Sequence, residues 1–278
     1  MGSNDERDEI TEMADNHTLR VLQGLLANSQ TKHWPSIACY FLGTTIYRCL
    51  RLRLFEELNL RLKPFVVCAH IEGKSGLVFL HEILTEGVYH FRPIEELDNI
   101  NLLYDVGANC GYYTLNQCAR RKSLRAVCFE PHPETFCRLQ RNLAANGLNG
   151  RVLAVQAAVG AASDKGMMSI SDESSMGIIS GSIVQSLKQP RSVPVTLVSL
   201  DDHAAAQNAY PDLLKIDVEG FEVNVLQGAT KCLEHACAVI LEVHSEQLAG
   251  DCLALLTEAK FNVSRQGDLL FAHKEIQQ

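Results

Sequence analysis

The sequence predicts an α/β fold, in which helices cover both faces of a mostly parallel sheet. From about residue 100 onward, short apolar runs alternate with longer amphipathic segments. Such alternation is typical of parallel sheets, because each crossover between neighbouring strands lays a helix on the sheet. The chain has 278 residues, 46% of them hydrophobic, which is enough to bury a sizeable core.

The apolar runs are the predicted strands, and the segments between them are the predicted helices. The strands are NLLYDV (101–106), LRAVCFE (124–130), RVLAVQAAVG (151–160), DLLKIDV (212–218), AVILEVH (238–244), and finally FNVS with DLLFAHK. The helices are GYYTLNQCARR, PETFCRLQRNLAANG, EGFEVNVLQGATKCLEH and SEQLAGDCLALLTEAK. Gly147 is expected to cap the second of these in the left-handed conformation.

Between residues 161 and 200 the alternation is interrupted. Residues 161–192 are polar and rich in Ser and Gly, which favours an excursion or a lid-like loop. Its central part, DESSMGIISGS (172–182), either closes over a substrate or is a disordered insertion. An additional strand, VPVTLVSL (193–200), is expected after it.

Residues 1–63 are predicted to form a helical extension in front of the main domain, which we place at 64–278. They begin with an acidic segment, MGSNDERDEITEMAD, that we expect to be disordered. Leucines then recur at helical spacing, at Leu19, Leu22, Leu25 and Leu26, and again at Leu54, Leu58 and Leu62. Pro64 ends this pattern, and a strand followed by a turn is expected in PFVVCAHIEGKSG.

The net charge and the cysteines indicate which binding partners and which cellular compartment fit the protein. The net charge of −8 gives the chain no overall basic bias towards nucleic acid, so a small, neutral or locally recognised substrate fits better; a local basic patch is the alternative. The ten cysteines include no CxxC pair, and no signal peptide is visible, which favours reduced thiols and a cytoplasmic location.

The apolar stretch 37–47 is shorter than the roughly 20 residues that span a bilayer. We expect an amphipathic helix there; weak interfacial membrane contact through 37–55 is the alternative.

The run YDVGANCG (104–111) ends the first of these strands in a glycine-rich turn. Gly107 and Gly111 allow the backbone to turn sharply and to approach a ligand. Ligands of open parallel sheets bind at this end of the strands. The turn differs from the GxGxxG loop of dinucleotide sites, and its Asp105 and Asn109 suit a cationic amine better than a pyrophosphate. We therefore expect a cofactor that carries an amino acid.

The end of the next strand supplies an acid for a nucleoside. Glu130 lies nineteen residues after Gly111, where a carboxylate can accept hydrogen bonds from both ribose hydroxyls. Together with the turn, Glu130 predicts S-adenosylmethionine rather than NAD as the cofactor. Gln156 and Ala158, which end the third strand, are placed to meet the adenine ring.

These residues carry a family resemblance. The runs YDVGANCGYYTL, FEPHPETFCRLQRNLAANGL, AAVG, LLKIDVEGFEVNVLQGA and ILEVH resemble the FkbM-type family of class I S-adenosylmethionine-dependent methyltransferases. The resemblance implies a Rossmann-like sheet of seven strands, one of them antiparallel near the C-terminus. It also implies methyl transfer, most often to a hydroxyl of a sugar or natural product. By resemblance, Asp105, Gly107, Asn109 and Glu130 bind the cofactor.

A set of ionisable residues follows two later strands and forms the predicted catalytic face. Lys215, Asp217 and Glu219 alternate at the end of one strand, and Glu242 and His244 at the end of the other. A hydroxyl is a poor nucleophile until it loses its proton, so a general base is expected. Either His244 or Asp217 is that base, or Asp217 orients His244; Asp217 is also counted among the cofactor-binding residues. In the alternative without a catalytic role, Lys215 and Glu219 form an ion pair.

No metal is predicted in the favoured scheme. In the alternative, Asp217, Glu242 and His244 bind Mg²⁺ or Mn²⁺, which would lower the pKa of an acceptor hydroxyl.

Tyr89 and His90, in EGVYHF, are expected to line the acceptor pocket with Glu242. Ordinary packing of the aromatic ring is the other interpretation of Tyr89.

Three functions compete at this point. The first is O-methylation of a sugar or natural-product-like small molecule. The second is N-methylation of a nucleobase or protein side chain, which the absence of an Asn-Pro-Pro-aromatic motif and of a basic bias disfavours. The third is a cofactor-binding pseudoenzyme or assembly subunit. The acceptor, the oligomeric state and the role of residues 1–63 stay open.

Overall fold

The computed structural model describes residues 23, 57–61, 66–70, 82–171, 174–180 and 191–275. The chain divides into two compact units, Met1–Val88 and Tyr89–Gln278. In the first unit, β1 (Glu57–Arg61) pairs antiparallel with β2 (Val66–His70), and a short π-helix covers Glu82–Glu86. The strand expected in PFVVCAH is thus confirmed as β2.

The helix predicted to run up to residue 63 is wrong for residues 57–61, which form β1. The sequence ELNLR alternates polar and apolar residues, and so short a segment fits a period of two as well as a helical period. The disordered start, the earlier leucines and the stretch 37–55 lie outside the described residues. Among the described residues, no helix is long and apolar enough to cross a membrane.

The second unit contains eleven strands and seven helices among its described residues. The strands are β3 (Leu102–Val106), β4 (Arg125–Phe129), β5 (Val152–Val155), β6 (Ala158–Val159), β7 (Asp164–Ser171), β8 (Ser174–Ser180), β9 (Arg191–Val198), β10 (Leu213–Ile216), β11 (Ala238–Glu242), β12 (Asn262–Gln266) and β13 (Leu269–His273). The helices are α1 (Arg92–Glu95), α2 (Tyr112–Arg120), α3 (Pro133–Ala145), α4 (Leu200–Gln207), α5 (Glu222–Gln227), α6 (Thr230–His235) and α7 (Glu246–Glu258).

Seven strands form the main sheet in the order β12-β13-β11-β10-β3-β4-β5. The pairs among β11, β10, β3, β4 and β5 are parallel, and β13 runs antiparallel to both of its neighbours. All four residues of β10 are buried, as expected for a strand covered on both faces. The predicted Rossmann-like sheet with one antiparallel strand near the C-terminus is confirmed.

A second sheet, in the order β6-β9-β7-β8, corrects the interpretation of residues 151–200. The run 151–160 is not one strand, because β5 belongs to the main sheet and β6 to the second. The lid-like loop predicted over 161–192 is wrong where the structure describes it, since β7 and β8 pair antiparallel. Met168 of β7 packs with Val195 and Leu197 of β9, so β7 contributes to a small apolar core despite its polar composition. Residues 172–173 and 181–190 lie outside the described residues.

The segment predicted as one helix after β10 is two short helices, α5 and α6, that meet at Gly228. A Cβ at Gly228 would lie 2.1 Å from the carbonyl oxygen of Gly160. The Gly228 carbonyl also accepts hydrogen bonds from the Asp201 amide at 3.0 Å and from the Ser199 hydroxyl at 3.1 Å. The helix is therefore interrupted where the chain is pressed against the second sheet and α4.

The other predicted helices are confirmed and have recognisable ends. Pro133 opens α3, and the His132 ring accepts a hydrogen bond from the Thr135 amide. Ser245 caps α7 by accepting from the Leu248 amide. Gly147 follows α3 at a φ of +67°, the left-handed conformation expected of it.

Replacing Gly228 by Ala should lower the free energy of unfolding by about 2 kcal/mol, because the added Cβ would collide with backbone atoms. Gly250→Ala is the matched control: nothing lies within 4 Å of a Cβ there, and Gly250 sits inside α7. That substitution should raise stability by about 0.5–1 kcal/mol through helix propensity. Chemical denaturation measures both, and equal effects of the two substitutions would contradict the packing at Gly228.

Candidate functional site

The carboxyl ends of β3, β4, β10 and β11 meet at one edge of the main sheet and carry most of the predicted site residues. The register places Asp105 of β3 opposite Lys215 of β10, and Ile216 of β10 opposite Leu241 of β11. Asp217 and Glu242 therefore end neighbouring strands. This shared edge is the consequence of parallel strands with aligned ends.

The turn after β3 is packed closely against the end of β10. Gly107 has a φ of +73°, and a Cβ there would lie 1.7 Å from the Asp217 carbonyl oxygen. The amides of Gly107 and Ala108 both donate to the Phe129 carbonyl at 3.0 Å, which ties the turn to β4. The non-glycine residue Asn109 also adopts a positive φ, of 50°. Only a residue without a side chain fits position 107.

Gly111 makes a second close approach, where the turn enters α2. Its φ is +81°, and a Cβ would lie 2.5 Å from Cδ1 of Leu139 on α3. A left-handed, side-chain-free residue here brings the start of α2 against α3.

Glu130 is held by two backbone amides directly after β4. Its Oε2 accepts from the Asn109 amide at 3.0 Å, and its Oε1 accepts from the His132 amide at 2.8 Å. Burial raises the pKa of the Glu130 carboxyl to about 7, although the two amide hydrogen bonds oppose the shift. The carboxylate is thus fixed in orientation beside the glycine turn.

Asp105 is fully buried below the turn. Its Oδ2 accepts a hydrogen bond from the Thr114 hydroxyl at 2.7 Å. Its Oδ1 lies 3.7 Å from Lys215 Nζ and has no hydrogen-bond partner among the described residues. Burial raises the pKa of Asp105, while Lys215 and Thr114 act against that rise.

Lys215 links the turn to the carboxylates. Its Nζ donates to the Gly107 carbonyl at 3.1 Å and to Asp217 Oδ2 at 3.1 Å. Burial lowers the pKa of Lys215, but Asp217 and Asp105 outweigh burial, so that the pKa ends above its usual value. The ion pair with Glu219, which is the alternative interpretation, is not among the contacts of Lys215 in the described structure, because Glu219 lies beside His244.

Tyr89 joins the ends of β10 and β11. Its hydroxyl lies 2.7 Å from Glu242 Oε2 and 3.2 Å from Asp217 Oδ2, and its ring centroid lies 5.3 Å from Lys215 Nζ. Burial and the two carboxylates raise the pKa of Tyr89, which keeps the hydroxyl a hydrogen-bond donor. Burial, followed by the charge of Asp217, also raises the pKa of Glu242.

Both ring nitrogens of His244 contact carboxylates. Nδ1 lies 2.7 Å from Glu222 Oε1, and Nε2 lies 3.1 Å from Glu219 Oε2 and 4.0 Å from Asp217 Oδ1. The hydrogen bonds to Glu219 and Glu222 raise the pKa of His244 to about 10, against the effect of burial. With this pKa, the ring carries a proton at neutral pH. Glu219 adopts a φ of 54°, a strained conformation for a glutamate.

Sequence reasoning missed Glu222, which is fully buried. Its Oε1 accepts from the Gly220 amide at 2.8 Å in addition to its contact with His244. A signal for it existed: Glu222, Val225 and Leu226 occupy one buried face of α5 at helical spacing. A carboxylate on an apolar helix face needs a partner, and His244 is that partner.

The structure gathers most of the predicted residues but not all of them. Asp217, Glu242 and His244 each offer one ligand atom, and these atoms lie within 4.8 Å of one another. His90 and Gln156 are exposed, and Ala158 is buried in β6 within the core of the second sheet. No contact of these three with the carboxylates is found in the described part of the chain, and their binding roles stay predictions.

Comparisons with known proteins identify the family to which this part of the chain belongs. The family model described as "Methyltransferase FkbM domain" matches residues 105–263, from Asp105 through the strands that carry the site. A crystal structure of a SAM-dependent methyltransferase from Agrobacterium tumefaciens is similar, with a TM-score of 0.47 and 10% identity over 81% of this chain and 72% of that one. That likeness is too remote to carry an argument about function.

Two curated relatives are more similar in sequence. The hexuronic acid methyltransferase AglP of Haloferax volcanii is 31% identical over 170 residues, which is 61% of this chain and 66% of AglP. The 31-O-demethyl-FK506 methyltransferase FkbM of Streptomyces tacrolimicus is 28% identical over 249 residues, which is 79% of this chain and 95% of that protein. Since the family model covers more than half of the 278 residues, the chain belongs to the FkbM methyltransferase domain family.

Proposed function

We propose that this protein is an S-adenosylmethionine-dependent methyltransferase that methylates a hydroxyl of a sugar or natural-product-like small molecule. The observation that carries the proposal is the Glu130 carboxylate, fixed by two amides beside a glycine turn and next to a cluster of acids. The names of the two relatives support it, since one is a hexuronic acid methyltransferase and the other acts on demethyl-FK506.

The residues around the turn fit the proposed cofactor. The Glu130 oxygens, oriented by the Asn109 and His132 amides, keep lone pairs for two ribose hydroxyls. Oδ1 of Asp105, which accepts no hydrogen bond from the described residues, offers an acceptor for an ammonium group. Gly107 brings backbone rather than side chain to the ligand. When bound, S-adenosylmethionine would supply a methyl group already activated by the sulfonium.

The carboxylates at the ends of β10 and β11 would align and deprotonate the acceptor. Asp217 is at the centre of this cluster: its Oδ2 contacts Lys215 and Tyr89, and its Oδ1 faces His244. Since both ring nitrogens of His244 already contact carboxylates, we assign proton acceptance to Asp217 and orientation to His244. Tyr89 and Lys215 hold Asp217 in place, as near-attack alignment requires.

Methyl transfer from radiolabelled S-adenosylmethionine to glucuronic acid, galacturonic acid and hydroxylated macrolides tests the proposed reaction. We expect label in an alkali-stable ether of at least one acceptor. Label on protein side chains or on nucleobases instead would replace O-methylation by N-methylation. Bound cofactor with no transfer to any acceptor class would favour a non-catalytic role.

Replacing Glu130 by Ala should weaken S-adenosylmethionine binding at least tenfold, because the ribose hydroxyls lose their acceptor. In the unaltered chain, affinity should be highest above pH 7 and fall by up to about fivefold from pH 7 to pH 6, as the carboxylate with a pKa of about 7 takes up a proton. Glu130→Gln should remove this pH dependence. Calorimetry measures each affinity, and Glu134→Gln, at an exposed position in the first turn of α3, is the control.

Replacing His244 by Ala should lower turnover at least a hundredfold while changing cofactor affinity less than threefold. The ring contacts the acids that face the acceptor but does not touch the Glu130 side of the site. Rapid-quench turnover and calorimetry separate the two quantities. Wild-type turnover by this variant would remove His244 from the reaction.

A further inference from the structure

We propose that Asp217, Glu242 and His244 bind one divalent cation, Mn²⁺ or Mg²⁺, and that Glu222 holds His244 for that purpose. The site would use one atom from each side chain and leave its other positions to water and the acceptor hydroxyl. Its role in the reaction depends on the proposed function, but the binding of the ion can be tested without any reaction.

The distances suit a cation of this size. The three ligand atoms lie within 4.8 Å of one another before any ion is present. Octahedral coordination at 2.0–2.1 Å places neighbouring ligand atoms about 3 Å apart and opposite ones about 4.2 Å apart. Small rotations of these side chains would bring the ligand atoms from within 4.8 Å of one another to these separations. Asp217 and Glu242 stand at the ends of paired parallel strands, so their backbones need not move.

Each candidate ligand is oriented by a partner on its other side. Glu222 Oε1 lies 2.7 Å from His244 Nδ1, which directs Nε2 towards Glu219 at 3.1 Å and Asp217 at 4.0 Å. A bound ion would take the place of the proton on Nε2. The Tyr89 hydroxyl contacts Oε2 of Glu242 and Oδ2 of Asp217, and so leaves a second oxygen on each carboxylate. Metal-binding histidines commonly have a carboxylate on the second ring nitrogen, and ligating carboxylates are themselves hydrogen-bonded. Acidic residues that lie together on a surface by chance would not be expected to have such hydrogen-bond partners.

The negative charge of the side chains around the proposed ion position also favours a cation. Asp217, Glu219 and Glu242 surround the position, and the fully buried Glu222 lies behind it with an Oε2 that has no hydrogen-bond partner among the described residues. Lys215 offsets one of these negative charges through Asp217, and the protonated His244 offsets a second through Glu219 and Glu222, so that the acids still outnumber the cations. Buried carboxylates without compensation are costly, and a divalent ion at the centre would supply two positive charges.

The site is open to ions and to an acceptor. The side chains of Asp217, Glu219 and His244 are 24%, 28% and 26% exposed. Two carboxylates with one imidazole form a mainly oxygen-based ligand set, which suits Mn²⁺ and Mg²⁺. A hydroxyl bound to the ion would have a lowered pKa, so that the nearby carboxylates need not be strong bases.

The test begins with the 278-residue chain, from which a chelator has removed any metal. Mn²⁺ is then added stepwise, and electron paramagnetic resonance measures the concentration of free Mn²⁺. We expect one saturable Mn²⁺ per chain, displaced by excess Mg²⁺. His244→Gln and Asp217→Asn should each weaken binding at least tenfold, and Glu222→Gln should weaken it about 10–100-fold through loss of the partner of His244. Asp251→Asn, at an exposed position of α7, should bind as the unaltered chain does.

Unsaturable Mn²⁺ binding, or equal affinity in His244→Gln and Asp251→Asn, would overturn the proposal. Circular dichroism and thermal unfolding of every variant identify any that fails to fold; the partly exposed His244→Gln then decides the outcome, because its side chain is not part of a packed core. Failure of the unaltered chain to bind S-adenosylhomocysteine would instead count against the proposed function, whatever the Mn²⁺ result.

Discussion

The contacts of Lys215 are the constraint on which the rest of the site depends. One buried ammonium group joins the carbonyl of Gly107, the carboxylate of Asp217 and, at longer range, that of Asp105. It therefore ties the turn after β3, where we propose that the cofactor binds, to the carboxylates after β10. The turn after β3 lies so close to the Asp217 backbone that position 107 has no room for a side chain. Cofactor and acceptor would be aligned by this one junction.

Much of the fold could be predicted because its signals are local. Parallel strands buried on both faces form continuous apolar runs, and their crossover helices have clear periodicity. The turn with Gly107 and the acid Glu130 were recognisable because each follows such a run at a fixed spacing. The same logic brought Asp217, Glu242 and His244 together, since the ends of parallel strands share an edge.

The rest could not be predicted because it depends on distant packing. The β7–β8 hairpin has polar composition and becomes a strand pair only against β9. Residues 57–61 fit two periods, and their pairing with β2 decides between them. Glu222 is defined by a partner 22 residues away, and its burial cannot be seen in EGFE alone. The single helix expected after β10 ends at Gly228 because the Gly160 backbone lies against it.

Isothermal titration of S-adenosylmethionine and of NAD into the unaltered chain tests the central claim most directly. The turn from Asp105 to Gly111 and the acid Glu130 are assigned to a nucleoside that carries an amino acid, not to a pyrophosphate. We expect micromolar binding of S-adenosylmethionine and no binding of NAD. Binding of NAD, or of neither compound, would contradict the assignment of this edge of the sheet.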